Sequence, residues 1–266
     1  MRSLFAFSAA ILLIGTGCDA TSNSDTQNAQ LRVQFEVTVP AANAAKGSFS
    51  STLDDALIFD GTNGTLSITD IRLVVAEFEL EREEDCEDTQ REDQCEEVDE
   101  AAFFADLPLE SGTVTVATGD IPPGRYTELE FEVENLELDD EDDDDEQRQN
   151  LLNSIRSTFP DWPPEASVVL VGSFTPPGGN PQSFRTFAEA EIEVELALTP
   201  ALVIEDNDQV LTVQIDPGIW LKAEGGGVLD LSAYDFETTG SLLEFDLEIE
   251  DGFTGPERER DDEDDD

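Results

Sequence analysis

The chain contains no histidine. That removes the commonest general base, the commonest imidazole metal ligand and the central member of a Ser-His-Asp triad. Lysine is almost as scarce: of 13 basic residues only Lys46 and Lys222 are lysines, against 64 Asp and Glu, for a formal charge of −51. A surface of that sign repels nucleic acid and anionic headgroups, which excludes both as partners; cations, basic proteins and polysaccharide remain open. No glycine run matches a phosphate loop or a dinucleotide fingerprint. Carboxylates are the one abundant reactive class. A glycosidase needs only two of them at a fixed separation, yet among 64 acids such a pair arises by chance. The expectation is no catalytic activity, with an exported hydrolase using a carboxylate pair as the third reading.

Long apolar runs are also missing, with one exception at the start. Phe5 to Ile14 is apolar behind Arg2 and closes on Gly15-Thr16-Gly17-Cys18. A cationic start, an apolar segment too short to span a bilayer and small residues before a processing point make a signal peptide over 1–17. The segment resembles the lipobox of bacterial lipoproteins, with Thr16 and Gly17 in pattern and Gly15 where leucine is usual. The resemblance implies that Cys18 is lipidated, becomes the first mature residue and anchors the protein to a membrane of the cell envelope. Residues 18–30, in which nothing apolar larger than Ala follows Cys18, read as a flexible tether.

Only two cysteines remain, Cys86 and Cys95, with eight residues between them. In an exported chain such a pair is expected to form a disulfide; two thiolates without histidine make a poor metal site.

What the chain has in quantity is alternation. Leu31, Val33, Phe35, Val37 and Val39 alternate with polar residues, and Leu129, Phe131 and Val133 alternate with Glu128, Glu130, Glu132 and Glu134. The same period runs from Phe184 to Leu198 and through Leu243, Phe245, Leu247 and Ile249. Strict alternation of apolar residues with acids is the mark of half-buried strands and argues against a disordered acidic chain. Between Thr65 and Glu81 the apolar parity changes, so the strand either bulges near Val74 or is buried on both faces. Leu202 to Ile204 and Val210 to Ile215 read as a hairpin, and Ile219-Trp220-Leu221 as a further strand. Leu151, Leu152, Ile155 and Phe159 have helical spacing and end at Pro160, so 139–165 is expected as an insertion of an acidic loop and a short helix. About ten strands with Gly/Pro turns predict an all-β antiparallel sandwich over 31–250, with a barrel as the alternative and 251–266 as an acidic disordered tail.

Leu66 to Leu80, the turn Ile121-Pro122-Pro123-Gly124-Arg125-Tyr126-Thr127 and the stretch Leu211 to Trp220 before a glycine turn resemble exported β-sandwich lipoproteins of an uncharacterised bacterial family. The resemblance covers about two thirds of the chain. It implies a location and a fold, and it supplies no activity.

Charge carries the functional expectation furthest. Loss of Arg2 with the signal peptide takes −51 to −52. Such self-repulsion is tolerable where salt shortens the Debye length to about 3 Å at 1 M, as in a halophile. Calcium is the one cofactor the composition leaves room for, at Asp139, Asp140, Asp142, Asp143, Asp144 and Asp145, although no EF-hand spacing is present. Trp162, in its proline-rich loop, is the aromatic expected to be exposed for a ligand; Trp220 is expected in the core. The reading is a lipid-anchored envelope protein with a structural or binding role. Its alternative is a calcium-dependent surface adhesin or carbohydrate-binding module.

Overall fold

The computed structural model describes residues 29–38, 56–82, 98–99, 101–110, 112–136, 145–205, 208–244 and 252–258. Cys18, Cys86, Cys95 and the run Asp139 to Asp144 lie outside these residues, as does the side chain of Asp145. In chain order the strands are β1 (Ala29–Val37), β2 (Leu57–Gly61), β3 (Gly64–Val75), β4 (Glu77–Arg82), β5 (Val98–Asp99), β6 (Phe103–Asp106), β7 (Gly112–Ile121) and β8 (Gly124–Val133). Helix α1 (Asp145–Thr158) follows, then β9 (Val168–Thr175), β10 (Gln182–Glu189), β11 (Ile192–Ile204), β12 (Gln209–Ile215), the single turn α2 (Pro217–Trp220), β13 (Lys222–Ala223), β14 (Gly227–Val228), α3 (Phe236–Thr239), β15 (Leu243–Glu244) and β16 (Phe253–Arg258).

Three larger, mostly antiparallel sheets and the two-stranded β13–β14 sheet result, and none closes into a barrel. Sheet I has the order β16-β12-β1-β7, with β1 antiparallel to β7 and parallel to β12. Sheet II runs β15-β10-β9-β3-β2, with β6 also on β3. Sheet III runs β11-β8-β4-β5. The architecture is the all-β, sandwich-like one that the alternation predicts.

Two cores hold it together. The larger joins the inner faces of the sheets: Phe35 of sheet I lies 5.5 Å from Phe131 of sheet III and 6.5 Å from Phe103 of sheet II, centroid to centroid. Each such side chain taken fully out of water contributes about 1.5–3 kcal/mol. The second core lies on the other face of sheet II, where Val74, Val169 and Phe187 meet Leu152, Ile155 and Phe159 from α1 and its end. Sheet II is therefore buried on both faces, and within β3 the inward parity passes from Leu66 and Ile68 to Ile71 and Leu73 at a bulge, Thr69, where the register with β9 shifts. Val75 belongs to the first core and Val74 to the second, and the chain passes into sheet III at Ala76, whose N–H donates to Glu132 O at 3.0 Å.

Tyr126, wholly buried, donates its hydroxyl to Pro122 O four residues back, at 2.9 Å, and accepts from Arg82 at 3.0 Å. That is the tyrosine-corner arrangement found at the turns of β-sandwiches, and it fixes the crossing from β7 to β8.

Several expectations are corrected. The alternation from Phe184 to Leu198 is two strands in different sheets, broken at Ala190. Buried Ser167 occupies the break: its Oγ accepts from Ala190 N at 2.8 Å and donates to Ala190 O at 3.0 Å, replacing ladder bonds. Leu202 to Ile204 and Val210 to Ile215 are not a hairpin, since the first pairs with β8 and the second with β1. Ile219 and Trp220 lie in a helical turn, because Pro217 fixes φ at its start and Asp216 caps Gly218 N at 2.8 Å. The chain beyond Glu250 is not tail throughout: β16 pairs with β12, and Phe253 packs 5.0 Å from Phe131. Gly252 permits that return, because a Cβ there would run into the indole of Trp220. Of the expected last strand, Leu243 and Glu244 pair with β10, and 245–250 lie outside the described residues.

Candidate functional site

Sheet II is covered on both sides, whereas the outward faces of sheets I and III carry mostly polar side chains, with Val210 on the first and Val203 on the second. On sheet III those side chains are almost all glutamates. In β4 the acids Glu77, Glu79 and Glu81 alternate with buried Phe78 and Leu80, and in β8 Glu128, Glu130 and Glu132 alternate with Leu129 and Phe131. Ile192, Val194 and Leu196 of β11 are buried, which turns Glu193 and Glu195 outward. The registers align them: Glu77, Glu132 and Glu193 form one row, Glu79, Glu130 and Glu195 the next, and Glu81 and Glu128 a third. Eight carboxylates thus stand on three adjacent strands. Neighbouring strands are about 5 Å apart, and alternate residues along a strand about 7 Å.

The electrostatic consequence is clearest at the centre. Partial burial, a hydrogen bond with Glu193 and the negative charges of Glu193, Glu81 and Glu195 push Glu130 up to about 7. Burial, followed by Glu81 and Glu195, raises Glu128. Burial, Glu77 and Glu193 raise Glu132, and the Arg148 guanidinium from α1 opposes them. In every case the cause is the same: an ionised carboxylate that has lost some water and faces others of its own sign. Glu130 therefore keeps its proton to higher pH than an isolated glutamate does.

Glu128, Glu130 and Glu195 each present an oxygen within 4.8 Å of the other two, the one such group of three among the described residues. Oxygens at that spacing can bracket a hard cation of calcium type, whose ligand distances are about 2.3–2.6 Å. The face offers no nucleophile and no base beyond carboxylate. Its chemistry is the exchange of protons and cations.

The residues singled out from sequence fare unequally. Asp139, Asp140, Asp142, Asp143 and Asp144 fall outside the described residues, as do the lipidation residue Cys18 and the pair Cys86 and Cys95. Trp162, expected to be exposed, is buried at 5% exposure in the second core. Its ring sits edge-on to Phe104 and Phe187, 5.3 Å from each. The two prolines that flank it made an exposed loop the natural reading; the chain folds back there instead, with Trp162 N–H donating to Phe159 O at 3.0 Å. Trp220 is fully buried, as expected. The triad Glu128, Glu130 and Glu195 was missed, although the alternation that displays all three outward is plain in the sequence; the signal lacking was which strands are neighbours.

A shallow pocket of about 190 Å³, lined by Phe59, Leu221, Lys222 and Val228 among others, lies beside the β13–β14 turn. Asp60 and Lys222 are the charged residues of its lining. No helix among the described residues is long and apolar enough to cross a membrane. No family model matches the chain, and no curated protein or solved structure matches it.

Proposed function

We propose that this is a lipid-anchored cell-envelope protein with a structural or binding role, working in concentrated salt and using the glutamate face of sheet III to hold cations. The observation that carries the reading is the in-register array of eight glutamates on the outward face of one sheet. Like charges opposite one another across a sheet are destabilising. At 4–5 Å in water each pair costs about 1 kcal/mol before screening, and a domain is stable by only about 5–15 kcal/mol. Such a surface is tolerable where counterions are dense. The test is thermal unfolding from low salt to molar NaCl or KCl: a climbing Tm is expected, and a flat one overturns the reading. The anchor rests on the Leu4 to Cys18 segment, and Cys18→Ser should abolish lipid labelling and release the protein from membranes. Unchanged labelling and partition would sink that part alone.

A second reading, a calcium-dependent adhesin or binding module, is favoured by the convergence of Glu128, Glu130 and Glu195. On this reading small amounts of calcium replace much of the salt requirement and magnesium does not. An equal response to the two ions removes it.

A further inference from the structure

The outward face of sheet I contrasts with that of sheet III. Its rows are Thr118, Arg32 and Val210; Thr115, Gln34 and Thr212; and Thr113, Glu36 and Gln214. A fourth row holds Gln30 and Asp120, so Arg32 stands against two acids, and hydroxyls and amides make up most of the remainder. Gln34 donates to Thr115 across the strands at 3.5 Å. In a chain of charge −51 this is a nearly neutral face. It ends at β7, which pairs with β1 along one side; among the described residues no strand pairs with its other side.

The remaining edges are blunted in the ways that keep strands from adding to one another. Strands β5 and β15 are two residues long, and β6 is four. The β13–β14 turn is tied to the β2–β3 hairpin: Thr62 N–H donates to Gly226 O at 3.0 Å, and Asn63 exchanges two hydrogen bonds with Val228. In β11 the register breaks between Ala197 and Leu202 around Pro200, and Glu193 and Glu195 stand exposed. Edge strand β16 contains Pro256 and a register shift. In contrast, β7 runs ten residues without proline, and its single acid, Asp120, lies near its end. Its one irregularity is a bulge at Val116, between the partners of Val33 and Gln34.

We propose that two copies of this chain pair through the open edge of β7, antiparallel about a two-fold axis, so that their two sheets I join into one. What the edge offers is a ladder of backbone N–H and C=O groups, and another strand satisfies such a ladder better than a hydroxyl-bearing polymer or a basic side chain does. Among strands, a second β7 suits the neighbourhood: it brings Thr113, Thr115 and Thr118 beside threonines, a favourable cross-strand combination, where pairing through β11 would bring glutamates beside glutamates. Asp120 is the one acid on β7, but each copy carries a large net negative charge. That charge opposes association at low ionic strength and loses its reach in molar salt. The inference does not depend on the lipid anchor.

The experiment is sedimentation of the full chain carrying Cys18→Ser, so that no lipid drives association, over a concentration series in molar NaCl. A mass twice that of the chain is expected, falling to one chain at low salt. The double variant Thr113→Glu with Thr115→Glu, both exposed residues, should weaken dimerisation at least tenfold while leaving Tm in molar salt unchanged. Val203→Glu on the β11 edge should leave the dimer intact. A single-chain mass at every concentration in molar salt overturns the proposal. So does a double variant that dimerises as well as the parent, or a dimer lost through Val203→Glu. Should the double variant fold poorly, amide exchange on the chain without those two changes decides the matter. Outward β7 amides that slow with rising protein concentration support the seam, and rates independent of concentration overturn it.

Discussion

The outer faces of sheets I and III are made by the same device and end with opposite character. On both, every second residue enters the larger core: Val33, Phe35 and Val37 on one, Leu129, Phe131 and Val133 on the other. Both leave the intervening residues to solvent. On sheet III those residues are glutamates placed row by row against each other; on sheet I they are mostly threonine and glutamine, with Arg32 against Glu36 and Asp120. A strand face that must only avoid aggregation would serve equally well with either choice. The difference is one of charge: one face repels macromolecules of like sign and the other does so far less.

Removing a row from sheet III is the change with the largest expected effect. Glu79, Glu130 and Glu195 share a row, and replacing all three by Gln deletes two adjacent like-charge pairs. At low salt and above about pH 8, where Glu130 is ionised, this should stabilise by about 2 kcal/mol, a rise in Tm of roughly 4–8 °C for a domain of this size. The gain should shrink towards zero in molar salt. A triple variant whose salt dependence matches the parent's would show that the repulsion lies elsewhere.

Writing the same row into sheet I should reproduce the defect. Thr115, Gln34 and Thr212 are in register across β7, β1 and β12. Their joint replacement by Glu is expected to cost about 1–2 kcal/mol at low salt, recovered as salt is added. Tm measured along a salt gradient for both triple variants checks whether position or chemistry sets the response. If the transplanted row costs nothing at low salt, register alone does not explain sheet III.

The smallest effect is the dependence on pH. Glu130 has its folded pKa raised to about 7 from an ordinary 4.5, so the folded state binds the proton more tightly than the unfolded chain does. Its contribution to stability is fully present below about 4.5 and is lost as pH rises through about 7. The group is largely open to solvent, so the slope should be shallow and should flatten with salt. Tm in low salt should rise as pH is lowered through this window. Glu130→Gln should make the rise shallower, and Gln34→Thr on sheet I should leave it unaltered. A slope untouched by Glu130→Gln would place the titrating group elsewhere.

Much of this was legible in the residues. Alternation identified β1, β8 and β11 with the correct inward face, because side chains alternate across a strand whatever the strand pairs with. Helical spacing at Leu151, Leu152, Ile155 and Phe159 identified α1 for a similar local reason. The errors cluster where the chain changes sheet. The period of two runs unbroken from Phe184 to Leu198, since Ala190 is apolar whether it continues a strand or turns between two. The hairpin expected from Leu202 to Ile215 failed because a short polar connection looks the same whether its strands pair or part. Trp162 was misplaced because prolines on either side mark a turn without saying whether that turn lies against a core.

The sequence by itself settled the large excess of acidic charge, the absence of histidine chemistry, the all-β class and which residues of most strands face inward. All of these follow from composition or from periods of a few residues. Tertiary structure alone decided that Glu77, Glu79 and Glu81 stand beside Glu128, Glu130 and Glu132, with Glu193 and Glu195 on the far side. It also decided that Glu244 joins a different sheet and that β7 is left at an edge. Strand order depends on pairings between residues tens to more than a hundred positions apart, which bury apolar faces against each other. Many arrangements satisfy the same local alternation, and only the packed core selects among them.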